Sequence, residues 1–427
     1  MTLRRRDFLA ASGVSISALA LAACSGGGSG GGGNGGGGGG GGEISILTPE
    51  FAGTTGKAAF EGGILDGFFE GTDFTYKVDY TDWTKLNEKL STSVAGGLVA
   101  DMIMPGAGWV EPFAHKGVLT ELPDSLLDGL PVNENLLAQC RYEGTLHALP
   151  FFVDGRICIY NKAMFDAAGI AEIPTNLDDL REALKEVAPD GGVGIDLFSS
   201  NIRQTWSHLL GCFGGRLFNE DGTEVTFTDG TGVAALQYML DLVADGTANF
   251  DVKGAEGQPR PWQQGQAAVD LLNSSNWPAF TEQSPDLVTE DAMGMFLLPS
   301  AEAGGDPVMW TGGTLLTMSS RSANPEKVQE LMSYMLEAGP LLTAVTESGK
   351  VPARTDIEDP VVTDNLMAQY TIDNFDYATA FEGGSPAWME IRGLVAPELE
   401  AAVTGQKTAQ QAIDALAAAS QDALSRV

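Results

Sequence analysis

Apolar positions recur along this chain with two alternating periods. At Glu43–Leu47 (EISIL) and Phe74–Tyr80 they fall on every second residue, as in a half-buried strand. From about Lys57 to Phe69, and from an Asp82 cap to Val94 with Gly96-Gly97 as the stop, they fall at helical spacing. Ala100–Met104 reads as a short buried strand ending at Pro105-Gly106. Helices follow at Lys162–Ala168, at Leu177–Val187 behind Pro174-Thr175, and near Ile202–Cys212 and Gly232–Ala244. Strands are expected at Gly265–Leu272, Met293–Leu298 and Trp310–Met318, and helices at Pro325–Leu336, after Ser385-Pro386, and at Thr408–Leu424. Such alternation implies right-handed βαβ units and a largely parallel sheet. Ligands then collect beyond the carboxyl ends of the strands, which points to the loops at Glu50 and at Gly106–Trp109.

One stretch resists a simple assignment. In Leu146–Lys162 (LHALPFFVDGRICIYNK) two β-prone apolar runs flank Asp154-Gly155, and Asn161 can cap the next helix. Asp-Gly between apolar runs signals a hairpin. The alternative is one strand passing between two bodies, with a carboxylate at its midpoint.

The N-terminus carries an address. Arg4, Arg5 and Arg6, then Asp7-Phe8-Leu9 and the apolar Val14–Ala23, form an export signal whose core is too short to span a bilayer. Arg5-Arg6-x-Phe8-Leu9 resembles a twin-arginine signal, and Leu21-Ala22-Ala23-Cys24 resembles a lipobox, in which Cys24 is acylated and becomes the new N-terminus. Residues 24–42 are almost wholly glycine and serve as a flexible tether, so folding starts near Glu43. The remaining 385 residues allow two sizeable domains.

Charge narrows the function. The 427-residue chain carries a formal −33, and loss of residues 1–23 leaves 21 basic and 56 acidic residues, or −35. Nucleic-acid binding is excluded on that ground. Cys140, Cys158 and Cys212 are widely separated and odd in number, which allows one disulfide at most and favours buried thiols. With His115, His147 and His208 isolated, neither a metal nor a cofactor is implied.

A family resemblance rests on ordered motifs. Tyr142-x-Gly144 with Leu149-Pro150, Tyr160-Asn161-Lys162, Phe165-x-x-Ala168-Gly169-Ile170 and Pro174-Thr175 come first. Trp262-x-x-Gly265-x-Ala267-Ala268, Gly312-Gly313, Asn324-Pro325-Glu326, Gly349-x-Val351-Pro352-x-Arg354 and Gly405-x-x-Thr408-x-x-x-Ala412 follow. In this order the chain resembles the family 1 extracellular solute-binding proteins of sugar ABC importers, of which the maltose-binding protein is the best known. The resemblance implies an α/β, two-lobed, periplasmic-binding-protein-like fold of type II, with discontinuous lobes joined by hinge crossovers. Lobe 1 would comprise residues 43–152 and 301–350, and lobe 2 residues 153–300 and 351–427. The Leu146–Lys162 stretch would be one crossover, with others near Leu298–Ser300 and Gly349–Pro352.

The same resemblance implies a carbohydrate ligand, a permease partner in the membrane, attachment through Cys24, and a monomer that performs no chemistry. A sugar site needs flat aromatic faces and groups that fix hydroxyls. Trp388-x-x-x-Arg392 puts both types on one side of a helix, at a place where the family contacts ligand. Asp154 matches a ligand-binding carboxylate, Trp277 a stacking position, and Trp109 a position that is charged in the family; Glu50 can accept hydroxyl hydrogens. Trp83, Trp206, Trp310 and Gly312 are weaker candidates. Two rivals stand beside the sugar binder. The acidity favours a polyamine or other cationic solute, which Arg392 opposes, and a carboxylate pair about 5–10 Å apart would suit an extracellular glycosidase.

Overall fold

The computed structural model describes residues 41–254 and 258–427; the export signal, Cys24 and nearly all of the tether lie outside the described residues. Ten strands form one sheet. Its main path runs Thr75–Tyr80, Glu43–Thr48, Met102–Ile103, Met309–Met318, Ala148–Asn161, Ala267–Leu272, Val193–Asp196. Along this path the outer pairs are parallel and the centre is antiparallel, and Ala378–Phe381 adds a further parallel pairing to Met309–Met318. The largely parallel sheet expected from alternation is therefore corrected to a mixed one. The two long central strands are not successive βαβ partners but return past each other in opposite directions.

Those two strands organise the molecule. Ala148–Asn161 is continuous through Asp154-Gly155, so its halves do not pair with each other as a hairpin would. Residues 148–156 pair with Met309–Met318, and Val351–Pro352 lies on the other edge. From Ile157 onward the neighbours become Ala267–Leu272 and Met293–Phe296. Gly155 lets this happen because a Cβ there would meet Thr371 Cγ2 at 2.4 Å and Met309 Sδ at 2.7 Å. Met309–Met318 also changes company, from Ala378–Phe381 at one end to Met102–Ile103 at the other.

Burial follows the same division. One core gathers Ile44, Phe60, Phe152, Leu316, Met335 and Val362, while another gathers Trp206, Leu236, Val269, Ile391 and Leu416. A smaller cluster around Ile157, Trp262 and Met367 adjoins the strands that follow Ile157. Met309–Met318 itself runs between cores, with Met309 in the smaller cluster and Leu315, Leu316 and Met318 in the first.

Helix ends follow their capping chemistry. Asn161, Asn176 and Asn201 each accept a backbone N–H from the first turn of Lys162–Ala167, Leu177–Val187 and Ile202–Cys212. Thr408 and Gln411 form a reciprocal capping box at Ala409–Leu424. Cys140, Cys158 and Cys212 are buried free thiols, and no helix among the described residues is long and apolar enough to cross a membrane.

Candidate ligand-binding site

A cavity of about 710 Å³ opens where the central strands meet the surrounding loops. Alternation along Ala148–Asn161 puts Asp154 and Arg156 on one face. Their cross-strand partners are Gly312 and Trp310, so all four line the cavity. The loop after Glu43–Thr48 adds Glu50, and the turn after Met102–Ile103 adds Trp109. Ile202–Cys212 contributes Arg203 and Gln204 from its first turn, and Trp388–Val403 contributes Trp388 and Arg392 one turn apart. Gly349 ends Ala338–Ser348 in the left-handed conformation (φ 64°) and turns Lys350 inward.

The charges fall into two kinds. Lys350 Nζ lies 2.6 Å from Glu50 Oε1 and 3.4 Å from Asp154 Oδ2, while the Thr314 hydroxyl donates to Glu50 at 2.7 Å. Burial works against the Lys350 charge, but Asp154 and Glu50 outweigh it and raise the ammonium above its ordinary pKa. Asn273 Nδ2 approaches the other Asp154 oxygen at 3.3 Å. Across the cavity Arg203 is paired with Glu382, both buried. Arg156 is bound to Gln204, and Arg392 lies over Trp109; neither guanidinium has a carboxylate within 4.0 Å among the described residues. Burial lowers Arg156 to about 10, partly offset by Asp154, and burial alone lowers Arg392.

Each cavity tryptophan carries a cation against its ring. Arg156 lies over Trp310 at 5.3 Å, Arg203 over Trp388 at 5.8 Å, Arg392 over Trp109 at 5.2 Å and Lys350 over Trp83 at 5.5 Å. Gly312 is flat because a Cβ would meet the Trp310 ring at 2.8 Å. Phe51, at the cavity wall, holds φ 61°, a left-handed conformation costing on the order of 1–3 kcal/mol. Such a surface can bind a polar ligand edge-on to guanidinium and indole N–H groups; Trp310 Nε1 and Arg156 Nε have no hydrogen-bond partner.

A family model described as bacterial extracellular solute-binding protein matches residues 52–340, more than half of the chain. The chain belongs to that family. A protein of Brucella abortus (strain 2308), whose name says only that it binds, is 23% identical over 404 residues, covering 90% of this chain and 93% of its own. The diacetylchitobiose binding protein DasA of Streptomyces coelicolor is 24% identical over 288 residues, 65% of this chain and 66% of its own. Among solved structures, the GacH receptor of Streptomyces glaucescens, studied unliganded and with acarbose, has a TM-score of 0.75 at 22% identity, covering 90% of this chain and 98% of that one. The shared fold is the two-lobed α/β architecture of periplasmic binding proteins.

Within this solute-binding protein, Glu50, Trp109, Asp154, Trp388 and Arg392 line the one cavity, together with Trp83, Trp310 and Gly312. Two expected residues do not. Trp277 starts the helix Trp277–Gln283 and sits in a separate hollow beside Pro278, Val345 and Pro360. The preceding turn, Ser274–Asn276, carries the chain past the cavity, and Asn273 makes the contact there instead. Trp206 is wholly buried, its Nε1 donating to the Gly232 carbonyl at 3.1 Å. Trp388 reaches the cavity but is only 1% exposed, beneath Arg203 and edge-on to Phe218.

Sequence reasoning missed Arg156, Arg203, Lys350 and Glu382. Arg156 was findable, since it shares a strand face with Asp154 two residues away. The other three have no local signal, because their partners lie about 175 to 300 residues off.

Proposed function

We propose that the mature chain captures a carbohydrate, a mono- to oligosaccharide, outside the cell and hands it to the permease of an ABC importer without altering it. The observation that carries this reading is the cavity itself, walled by four tryptophans and by guanidinium, ammonium and carboxylate groups. Edges of this kind suit a ligand rich in hydroxyls, and the volume lies within the roughly 300–1,000 Å³ usual for small-molecule pockets. DasA and GacH, which bind saccharides or their analogues, support the same direction.

The lobes would close about the central strands, with Asp154 and Gly312 at the crossing. Acylation at Cys24 would keep the protein on the outer face of the membrane, and the glycine tether would let it reach its permease as a monomer. A glycosidase is disfavoured because the lining carboxylates are already engaged: Glu50 and Asp154 with Lys350, Glu382 with Arg203, and Glu347 with the Thr55 hydroxyl. A polyamine is disfavoured by three arginines in the same cavity.

Titration calorimetry of the mature chain against sugar and polyamine panels tests the reading, and saturable polyamine binding without sugar binding overturns it. Release of product from a labelled oligosaccharide would establish an enzyme instead. For the anchor, Cys24→Ala is expected to move the protein from the membrane fraction to the medium.

A further inference from the structure

The four cations of the cavity are not equivalent. Lys350 is neutralised by Glu50 and Asp154, and Arg203 by Glu382. Arg156 and Arg392 have no carboxylate in contact: Trp310 and Gln204 adjoin the first and Trp109 the second, while Asp154, beyond contact distance, only partly offsets the burial of Arg156. In a mature chain with 56 acidic residues against 21 basic ones, carboxylates are abundant. Arg156, buried, and Arg392, half-buried, are therefore exceptions in having no carboxylate in contact. Leaving a buried charge uncompensated is strongly unfavourable, and an oxyanion supplied by the ligand removes that penalty.

We propose that the saccharide bound here is acidic, with an oxyanion held by the unpaired guanidiniums of Arg156 and Arg392. This rests on the sugar-binding reading above and narrows its substrate class. A uronate carboxylate and a sugar phosphate present the same chemistry, since both match the planar N–H fork of arginine.

The geometry favours this arrangement over neutral hydroxyls. Arg156 lies 5.3 Å over the Trp310 ring and Arg392 5.2 Å over the Trp109 ring, contacts that hold each cation at the cavity wall without neutralising it. Arg156 Nε has no partner, and Arg156 is 8% exposed. Arg203 lies within electrostatic reach of both: after burial, Arg392 and then Arg156 depress its charged form. Three guanidiniums thus face one volume with a single carboxylate, that of Glu382, in contact with any of them. The lining as a whole balances four cations against four carboxylates, but a hydroxyl accepts a hydrogen bond and still leaves Arg156 and Arg392 without a carboxylate in contact.

Calorimetry on the mature chain decides it. The probes are mono- to trisaccharides of galacturonate and glucuronate, their methyl esters, the matching neutral sugars, hexose phosphates, and acetate and inorganic phosphate. An acidic sugar is expected to bind at least tenfold tighter than its own ester or neutral counterpart. That advantage should fall below about threefold in Arg392→Gln or Arg156→Gln, each checked for unchanged thermal unfolding. Tighter binding of a hexose phosphate than of any uronate supports the same oxyanion site and assigns its source to phosphate. Equal or tighter binding of the ester or neutral sugar overturns the inference and leaves the sugar reading standing. Binding of none of the saccharides, or of acetate or phosphate alone, overturns both. The comparison of acid with ester in the unaltered protein needs no variant, so a variant that fails to fold does not obstruct it.

Discussion

Lys350 holds two carboxylates together in the cavity wall, and its removal tests how far the site depends on that bond. In Lys350→Met, Glu50 and Asp154 would face each other without a cation, with Glu50 and Lys350 both buried. Breaking such a pair costs about 3–5 kcal/mol, which a fall in the urea midpoint would reveal. Trp388→Ala acts differently from an exposed stacking residue. Its indole is packed against Phe218 and under Arg203, so a loss of about 3–5 kcal/mol in unfolding free energy is expected alongside any loss of affinity. His208 gives a pH dependence. Its Nε2–H donates to the Val308 carbonyl at 2.8 Å inside the core, and burial lowers the ring from 6.5 to about 4. Above pH 6.5 neither state is protonated and the ring contributes nothing. As pH falls through 6.5 the unfolded chain takes the proton first, so stability declines until about pH 4, by roughly 3 kcal/mol in all. Between pH 7 and 4.5 the urea midpoint of the natural protein should fall further than that of His208→Gln.

At the scale of elements, the walls of the cavity meet at a glycine. A Cβ on Gly108 would stand 2.2 Å from the Glu382 carbonyl oxygen and 2.9 Å from Gly383 Cα. Gly108→Val should therefore hold the 106–109 turn away from the 382–384 loop and weaken ligand binding at least tenfold, with thermal unfolding little changed; unaltered affinity in calorimetry would refute it. Most elements were legible because they depend on local chemistry. Asn161, Pro174-Thr175 and Thr408 announced helix starts, and continuous apolar runs announced the central strands. The helix Ala338–Ser348 was not, since Gly339-Pro340 reads as a breaker, although proline is tolerated in a first turn. Nor was sheet direction, which is set by pairings between strands some 160 residues apart. The site shows the same split. Periodicity brought Trp388 and Arg392 to one helix face, but it could not separate Trp277 and Trp206 from the cavity tryptophans. An indole serves core and binding wall equally well.

For the whole molecule, the decisive contrast is between surface and cavity. A chain with a formal charge of −33 surrounds a pocket that presents Arg156 and Arg392 without a carboxylate in contact. An anionic ligand is repelled at long range and attracted only on arrival, whereas a polyamine is attracted throughout and a neutral sugar feels neither force. Ionic strength separates these cases. The screening length falls from about 30 Å at 0.01 M salt to about 8 Å at 0.15 M, which weakens the long-range field while touching contacts to buried Arg156 and half-buried Arg392 far less. For an acidic saccharide the association rate should therefore rise several-fold over that interval. It should stay flat for a neutral sugar and fall for a polyamine. Trp83, Trp109, Trp310 and Trp388 line the cavity, so their fluorescence in stopped flow supplies the readout without a label. A rate that falls with salt for every ligand bound would show that capture is governed by attraction of cations to the acidic surface, against both the sugar reading and its acidic refinement.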